Sequence, residues 1–234
     1  MEHLITGAGE LGLSLNERQI EQFTLYQNLL LDWNERINLT GAQSTREIQV
    51  RHFTDSLTCA LVTGDLNSQS LIDVGSGAGL PGLPLKILFP QMMLVLLESV
   101  GKKGAFLQQV ISELGLKDVT VVSDRAESVA HDADHRQQYD WAVARAVAHL
   151  SPLLEYLLPY CRPGGHALAQ KGVRASEELA EAGEAMRILG GELVEQVAIR
   201  TPDQADANLI VIKKVRDTPA KYPRRVGVPQ KRPL

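Results

Sequence analysis

Two cysteines, Cys59 and Cys161, stand far apart with no CxxC partner, so the 234-residue chain lacks both a disulfide framework and a zinc-ligand framework. A reducing compartment, the cytoplasm, is the expectation. Aromatic residues make up only 5% of the chain, too few for a strand face that stacks bases. No apolar run approaches the length of a membrane span. The opening MEHLITGAGE carries an acid at position 2 and no basic stretch, so neither a secretory signal nor a lipidation site is expected there. Excess charge is also missing, at a net of −4, which alone does not point to a nucleic-acid partner.

The charge that is present is unevenly placed. Between Lys213 and Leu234, KKVRDTPAKYPRRVGVPQKRPL sets eight Lys or Arg against Asp217 alone. Such a proline-punctuated basic tail is expected to bury little. It suits neutralisation of phosphates and suits a solubilising end equally well.

Periodicity divides the chain into residues 1–64, 65–215 and 216–234. The first part reads as helical. Ser14 with Glu17 predicts a capping box ahead of Ile20, Phe23, Leu30 and Trp33, and Ser44 with Glu47 predicts a second ahead of RHFTDSLTCALV. From residue 70 short apolar runs alternate with helical stretches: LIDV, MLVLLES, VTVVS, YDWAVA and HALAQ. That rhythm predicts an α/β fold with a mostly parallel sheet. LIVIKKV, after the irregular TPDQADAN, is predicted as a last antiparallel strand at one edge.

The chemistry concentrates in LIDVGSGAGLPG, residues 71–82. In a doubly wound sheet the ligand lies beyond the carboxyl ends of the strands, gripped by the loop after the first. Gly75, Gly77 and Gly79 let that loop approach a ligand closely. A dinucleotide and S-adenosylmethionine are the two ligands to weigh. The register counts against the dinucleotide, because from Gly75 the third glycine position falls on Leu80. Asp73 also counts against it, since a carboxylate repels a pyrophosphate but attracts an ammonium. Glu98, ending MLVLLES, is placed to accept ribose hydroxyls from either.

LIDVGSGAGLPGLPLKILFP, LLESVGKKGAFLQQVISELGL, SDRAES and VARAVAHL, in that order, closely resemble the bacterial 16S ribosomal RNA guanine-N7 methyltransferases, the glucose-inhibited division protein B family. WNERINLT, RHFTDSL and the terminal KYPRR-x-G-x-P resemble the same family, so the likeness covers essentially the whole chain. It implies a Rossmann-like methyltransferase fold with a helical N-terminal extension, S-adenosylmethionine as cofactor and S-adenosylhomocysteine as product. The acceptor it implies is N7 of guanine at nucleotide 527 of 16S rRNA, in the small subunit or an assembly intermediate. A monomer is expected. By position, the resemblance assigns Gly75 and Leu80 to the cofactor loop, Ala126 and Glu127 to the adenosine end, and Arg145 to the cofactor border. Ala144 stands where many members carry serine.

The residues agree with that acceptor. Methylation of a pyrimidine carbon needs a cysteine nucleophile, and neither cysteine follows the fourth strand. An exocyclic amine favours an Asn/Asp-Pro-Pro-aromatic turn, where this chain has ARAV. Guanine N7 already presents an in-plane lone pair, so no general base is expected. Arg145, Lys171 and Arg51 are the positioning candidates. Arg51, His52, Lys102, Lys103, Lys171, Lys221, Arg224 and Arg225 are the expected RNA contacts. For Arg51, a solvated i,i+4 pair with Asp55 is an equal reading. His131 and His135 in HDADH have metal-ligand spacing but no evident third ligand, so no metal is expected.

Overall fold

A computed structural model describes residues 1–199 and 207–234. Seven strands form one sheet: β1 (Ser70–Val74), β2 (Met93–Leu97), β3 (Val119–Val122), β4 (Tyr139–Arg145), β5 (Cys161–Lys171), β6 (Gly191–Ile199) and β7 (Ala207–Lys214). Their order is β3-β2-β1-β4-β5-β7-β6, with the first five parallel and β7 antiparallel to both neighbours. The strand order reverses between β1 and β4, which opens the crevice where the loop after β1 lies.

The last strand is antiparallel, but it is not at an edge. It inserts between β5 and β6, and every residue from Ala207 to Ile212 is buried. The edge belongs to β6, which the sequence pattern did not announce. Its GELVEQVAI is largely exposed, carries Glu192 and Glu195, and slips register between Leu193 and Glu195. A bulged, charged edge strand is built to avoid pairing further, and it lacks the apolar run that marks an interior one. Most of the irregular TPDQADAN stretch lies outside the described residues.

Two apolar cores cover the two faces of the sheet. The helix Glu17–Asn34 completes the first by burying Phe23, Tyr26 and Leu30, on the order of 2 kcal/mol for each side chain. Its capping box joins Asn16 and Gln19, not Ser14 and Glu17: Gln19 N donates to Asn16 Oδ1 at 3.0 Å, and Asn16 N to Gln19 Oε1 at 2.9 Å. The helix starts at Glu17, so Ser14 lies too far upstream to cap it. Gln19 Nε2 also donates to the carbonyls of Ile87 and Leu88, clamping this helix onto the one after β1 (Gly82–Leu88). Ser44 caps as predicted by accepting from Glu47 N, whereas the Glu47 carboxylate turns back to Gln43 N. The chain then forms a π-helix over Ile48–Thr54.

The basic end of the chain is packed down. Thr218, Tyr222 and Pro229 are buried, which corrects the expectation that this segment buries little. Its hold is polar. The Arg136 guanidinium donates to the carbonyls of Ala130, Thr218 and Tyr222, and His131 Nε2 lies 2.8 Å from Pro223 O. Backbone carbonyls can be captured whatever side chains the segment carries, so composition alone misjudged it.

Candidate functional site

After Val74 the backbone wraps around two carboxylates. Gly77 N donates to Glu98 Oε2 at 2.9 Å, and Val100 N to Glu98 Oε1 at 2.8 Å. Gly82 N donates to Asp73 Oδ2 at 2.8 Å. Gly75 and Ser76 both donate to the carbonyl of Leu97, fastening the loop to the end of β2. Gly75 has φ +72°, and a Cβ there would fall 2.9 Å from Val147 Cγ2. At Gly79, φ is +88° and a Cβ would overlap Leu83. The glycines are therefore required for the shape of the loop.

Beside this loop lies a cavity of about 340 Å³, within the range of small-molecule sites. Gly75, Val147, Asp124, Ala126, Glu127 and Tyr156 are among the residues that line it. Gly75, Ala126 and Glu127, expected as cofactor contacts, thus meet at one cavity. Gly77, Gly79 and Leu80 shape the loop behind it without lining it. Glu98 is buried and holds Gly77 and Val100 with its two oxygens.

Asp73 departs from its expected role. It is fully buried beneath the loop, off the cavity wall, where it anchors Gly82 in place of facing an ammonium. Its Oδ1 and the nearby Ser76 Oγ are buried without hydrogen-bond partners. Burial pushes the Asp73 carboxyl up to about 7, against the Gly82 hydrogen bond and Arg145, which pull it down.

Arg145, at the end of β4, reaches into the N-terminal helices. It donates to Asp55 Oδ2 at 2.8 Å and to Arg51 O at 3.2 Å, and its Nη2 lies 3.4 Å from His52 Nδ1. The sequence paired Asp55 with Arg51; in the structure Asp55 pairs with Arg145, and Arg51 reaches back to Glu47 at 3.4 Å. Arg51 lies in the π-helical turn, whose hydrogen bonds run from residue i to i+5, so α-helical spacing is not kept between it and Asp55. His52 also hydrogen-bonds Thr40 Oγ1. Burial, followed by the neighbouring Arg145 charge, lowers the His52 pKa to about 4.

Two expected phosphate contacts have internal partners instead. Lys171 Nζ donates to Ala148 O at 2.7 Å and lies 2.6 Å from Glu178 Oε2, with its side chain only 9% exposed. Arg224 forms a two-pronged pair with Glu155, which is fully buried. Neither stands free as a cation. Lys102 at the start of the helix Gly101–Glu113, Arg51, Lys221 and Arg225 are exposed, and Lys103 is half-buried. His131 and His135 point to different partners, Pro223 O and Tyr139 Oη. Both cysteines are buried, and burial pushes the Cys161 thiol up to about 12 and Cys59 higher still, so neither offers a thiolate.

Several supports escaped the sequence reading. Tyr26 Oη donates to Ala78 O in the glycine loop, and its ring stacks on Phe53 with centroids 5.0 Å apart. Its spacing of three from Phe23 and four from Leu30 was the available signal. Gln170, the penultimate residue of β5, donates from Nε2 to Asp55 O and so fixes the partner of Arg145. Nothing local marks it.

The residues fit S-adenosylmethionine. The cradle at Gly75 is one that a Cβ would fill, and the carboxylates of Asp124 and Glu127 at the cavity suit hydroxyls and an ammonium better than a pyrophosphate. Comparison with known proteins agrees. Residues 19–208 match the family model GidB, rRNA small subunit methyltransferase G. The chain is 53% identical, over the whole of both proteins, to ribosomal RNA small subunit methyltransferase G of Roseiflexus castenholzii. It is 45% identical to the enzyme of that name from Alkaliphilus metalliredigens, over 97% of this chain and 96% of that one. In fold it is similar to M. jannaschii TYW2 solved in complex with AdoMet, with a TM-score of 0.52 and 14% identity over 70% of this chain and 76% of the other. The glycine cradle, the seven-stranded order and the full-length identity converge: this chain belongs to the rRNA small subunit methyltransferase G family.

Proposed function

We propose that this chain methylates N7 of guanine at nucleotide 527 of 16S rRNA, acting as a cytoplasmic monomer on the small subunit or an assembly intermediate. Full-length identity of 53% to a named small-subunit rRNA methyltransferase is the observation that carries this reading. No described helix is long and apolar enough to cross a membrane.

Bound S-adenosylmethionine supplies an electrophilic methyl group on a sulfonium. The chain's own task is alignment. Gly75 gives close backbone approach, while Ala126 and Glu127 line the same cavity. N7 brings its own lone pair, and the groups near the crevice suit that. His52 is neutral at pH 7, both thiols are protonated, and the Asp73 carboxylate is sealed below the loop. Methylation leaves the guanine ring cationic. Arg145, neutralised by Asp55 at 2.8 Å, holds the edge of the crevice without presenting an unbalanced positive charge to that product. Arg51, Lys102, Lys103, Lys221 and Arg225 supply phosphate contacts in this reading, and Lys171, Arg224 and His52 hold elements in place.

Labelled S-adenosylmethionine incubated with small subunits lacking the modification tests the proposal. Label should enter 16S rRNA at one guanine, where the N7-methylated ring makes the strand cleavable by mild reduction and aniline. Label on an exocyclic amine, a ring carbon or another nucleotide overturns the assignment.

A further inference from the structure

The cavity beside the glycine loop has a wall that neither the sheet nor the N-terminal helices provide. Val226, Gly227 and Gln230, from the C-terminal segment, border it. Gly227 N donates to Glu127 Oε1 at 2.8 Å, so the segment is joined to one of the cavity's own carboxylates.

Three anchors hold this wall. Arg224 grips Glu155 from its backbone N at 2.6 Å and from its guanidinium at 2.7 to 3.1 Å. Glu155 is fully buried and directly precedes Tyr156, which lines the same cavity. Upstream, His131 meets Pro223 O and Arg136 grips the carbonyls of Thr218 and Tyr222. Held at both sides of Val226, the segment is ordered where it meets the cavity. Yet Val226 itself is 52% exposed and Gln230 is exposed. A bare apolar side chain next to a bare amide, on a rigid rim, complements a flat heteroaromatic ring with polar edges.

We infer that the C-terminal segment is part of the cofactor site: Val226 and Gln230 form the wall against the adenine of the methyl donor, and the Arg224–Glu155 pair sets that wall in position. The inference rests on the cavity being the donor site. It gives the basic end of the chain a cofactor-binding role in addition to any contact with RNA.

Calorimetric titration of the full-length chain with S-adenosylhomocysteine tests it, with unliganded melting temperature measured alongside. Val226→Asp adds a carboxylate at the wall beside Asp124 and Glu127, on an exposed position that should not disturb folding. It should weaken binding about tenfold, which is about 1.4 kcal/mol, at an unchanged melting temperature. Val226→Leu should bind as the parent does, and Gln230→Ala should weaken binding about threefold, the loss of one modest hydrogen bond. Gly75→Val should abolish binding through the loop. Parental affinity in both Val226→Asp and Gln230→Ala, with binding lost in Gly75→Val, overturns the wall and leaves the cavity standing. Parental affinity in Gly75→Val overturns the cavity as the donor site, and the wall with it.

Discussion

The two ends of the chain dock beside the same crevice by opposite physics. The N-terminal helices arrive on an aromatic cluster: Phe53 stacks on Tyr26 and meets Phe23 at a tilt, at 5.0 Å each, and Phe106 meets Tyr26 at 6.4 Å and Trp33 at 5.6 Å. The C-terminal segment arrives on two buried carboxylates, Glu155 and Glu127, and a set of captured backbone carbonyls. Apolar docking leaves a periodic trace in sequence because it needs a continuous face. Polar docking needs only a few correctly placed donors, which composition does not reveal.

Truncation of the aromatic cluster is the strongest way to break this contrast. Phe53→Ala should cost about 4 kcal/mol by chemical denaturation, from lost transfer energy and the cavity left behind. On the polar side, Arg224→Met leaves the Glu155 charge buried and unpaired. The cost should be about 3 kcal/mol, at the low end for such pairs because Arg224 is itself a quarter exposed. Replacing both members, Glu155→Leu with Arg224→Met, should restore most of that loss. A double variant no better than the single would mean that the segment is not held by this pair.

Acid should separate the elements further. The His52 pKa, lowered to about 4 from 6.5, means that the unfolded chain takes up a proton below pH 6.5 while the folded one does so only near 4. Stability from this group is present above pH 6.5 and is lost as pH falls through that window. Asp73 runs the other way. Its raised pKa makes its contribution fullest below pH 3.8 and lost as pH rises through about 7. In the parent the two slopes offset between pH 5 and 7. In Asp73→Asn the slopes of His52 and of His166, whose pKa burial also lowers, are no longer offset by Asp73, and stability should fall by about 2 kcal/mol from pH 7 to 5. A flat profile in that variant would remove both histidines from the account. The smallest effect is expected from Tyr26→Phe, which keeps the ring but leaves Ala78 O without its donor. The cost should be about 1 kcal/mol in stability. A larger loss of S-adenosylhomocysteine affinity than of stability would show that this hydroxyl shapes the loop.

Much of the site was legible. The apolar run LIDV followed by alternate glycines marked both β1 and the cradle, since no other residue serves at φ +72° beside Val147. Ala126 and Glu127, which the family resemblance assigns to the adenosine end, line the cavity. The reading erred on charged groups. Of the two readings of Arg51, an RNA contact and an i,i+4 pair with Asp55, the pair does not form, because Arg145 takes the Asp55 carboxylate. Lys171 and Arg224 look like free cations in sequence because their acids, Glu178 and Glu155, lie on another element or far off in the chain. The edge strand β6 was missed because edge strands are selected to look polar.

The sequence by itself determined the family, the alternating β/α rhythm and the glycine loop, since each rests on local stereochemistry or on residue order along the chain. Tertiary packing alone fixed which carboxylate each basic residue meets, where the last strand inserts and that the C-terminal segment borders the cavity. Those outcomes depend on distances between elements remote in sequence. A charge or a backbone carbonyl takes whichever partner the packed cores bring within about 3 Å.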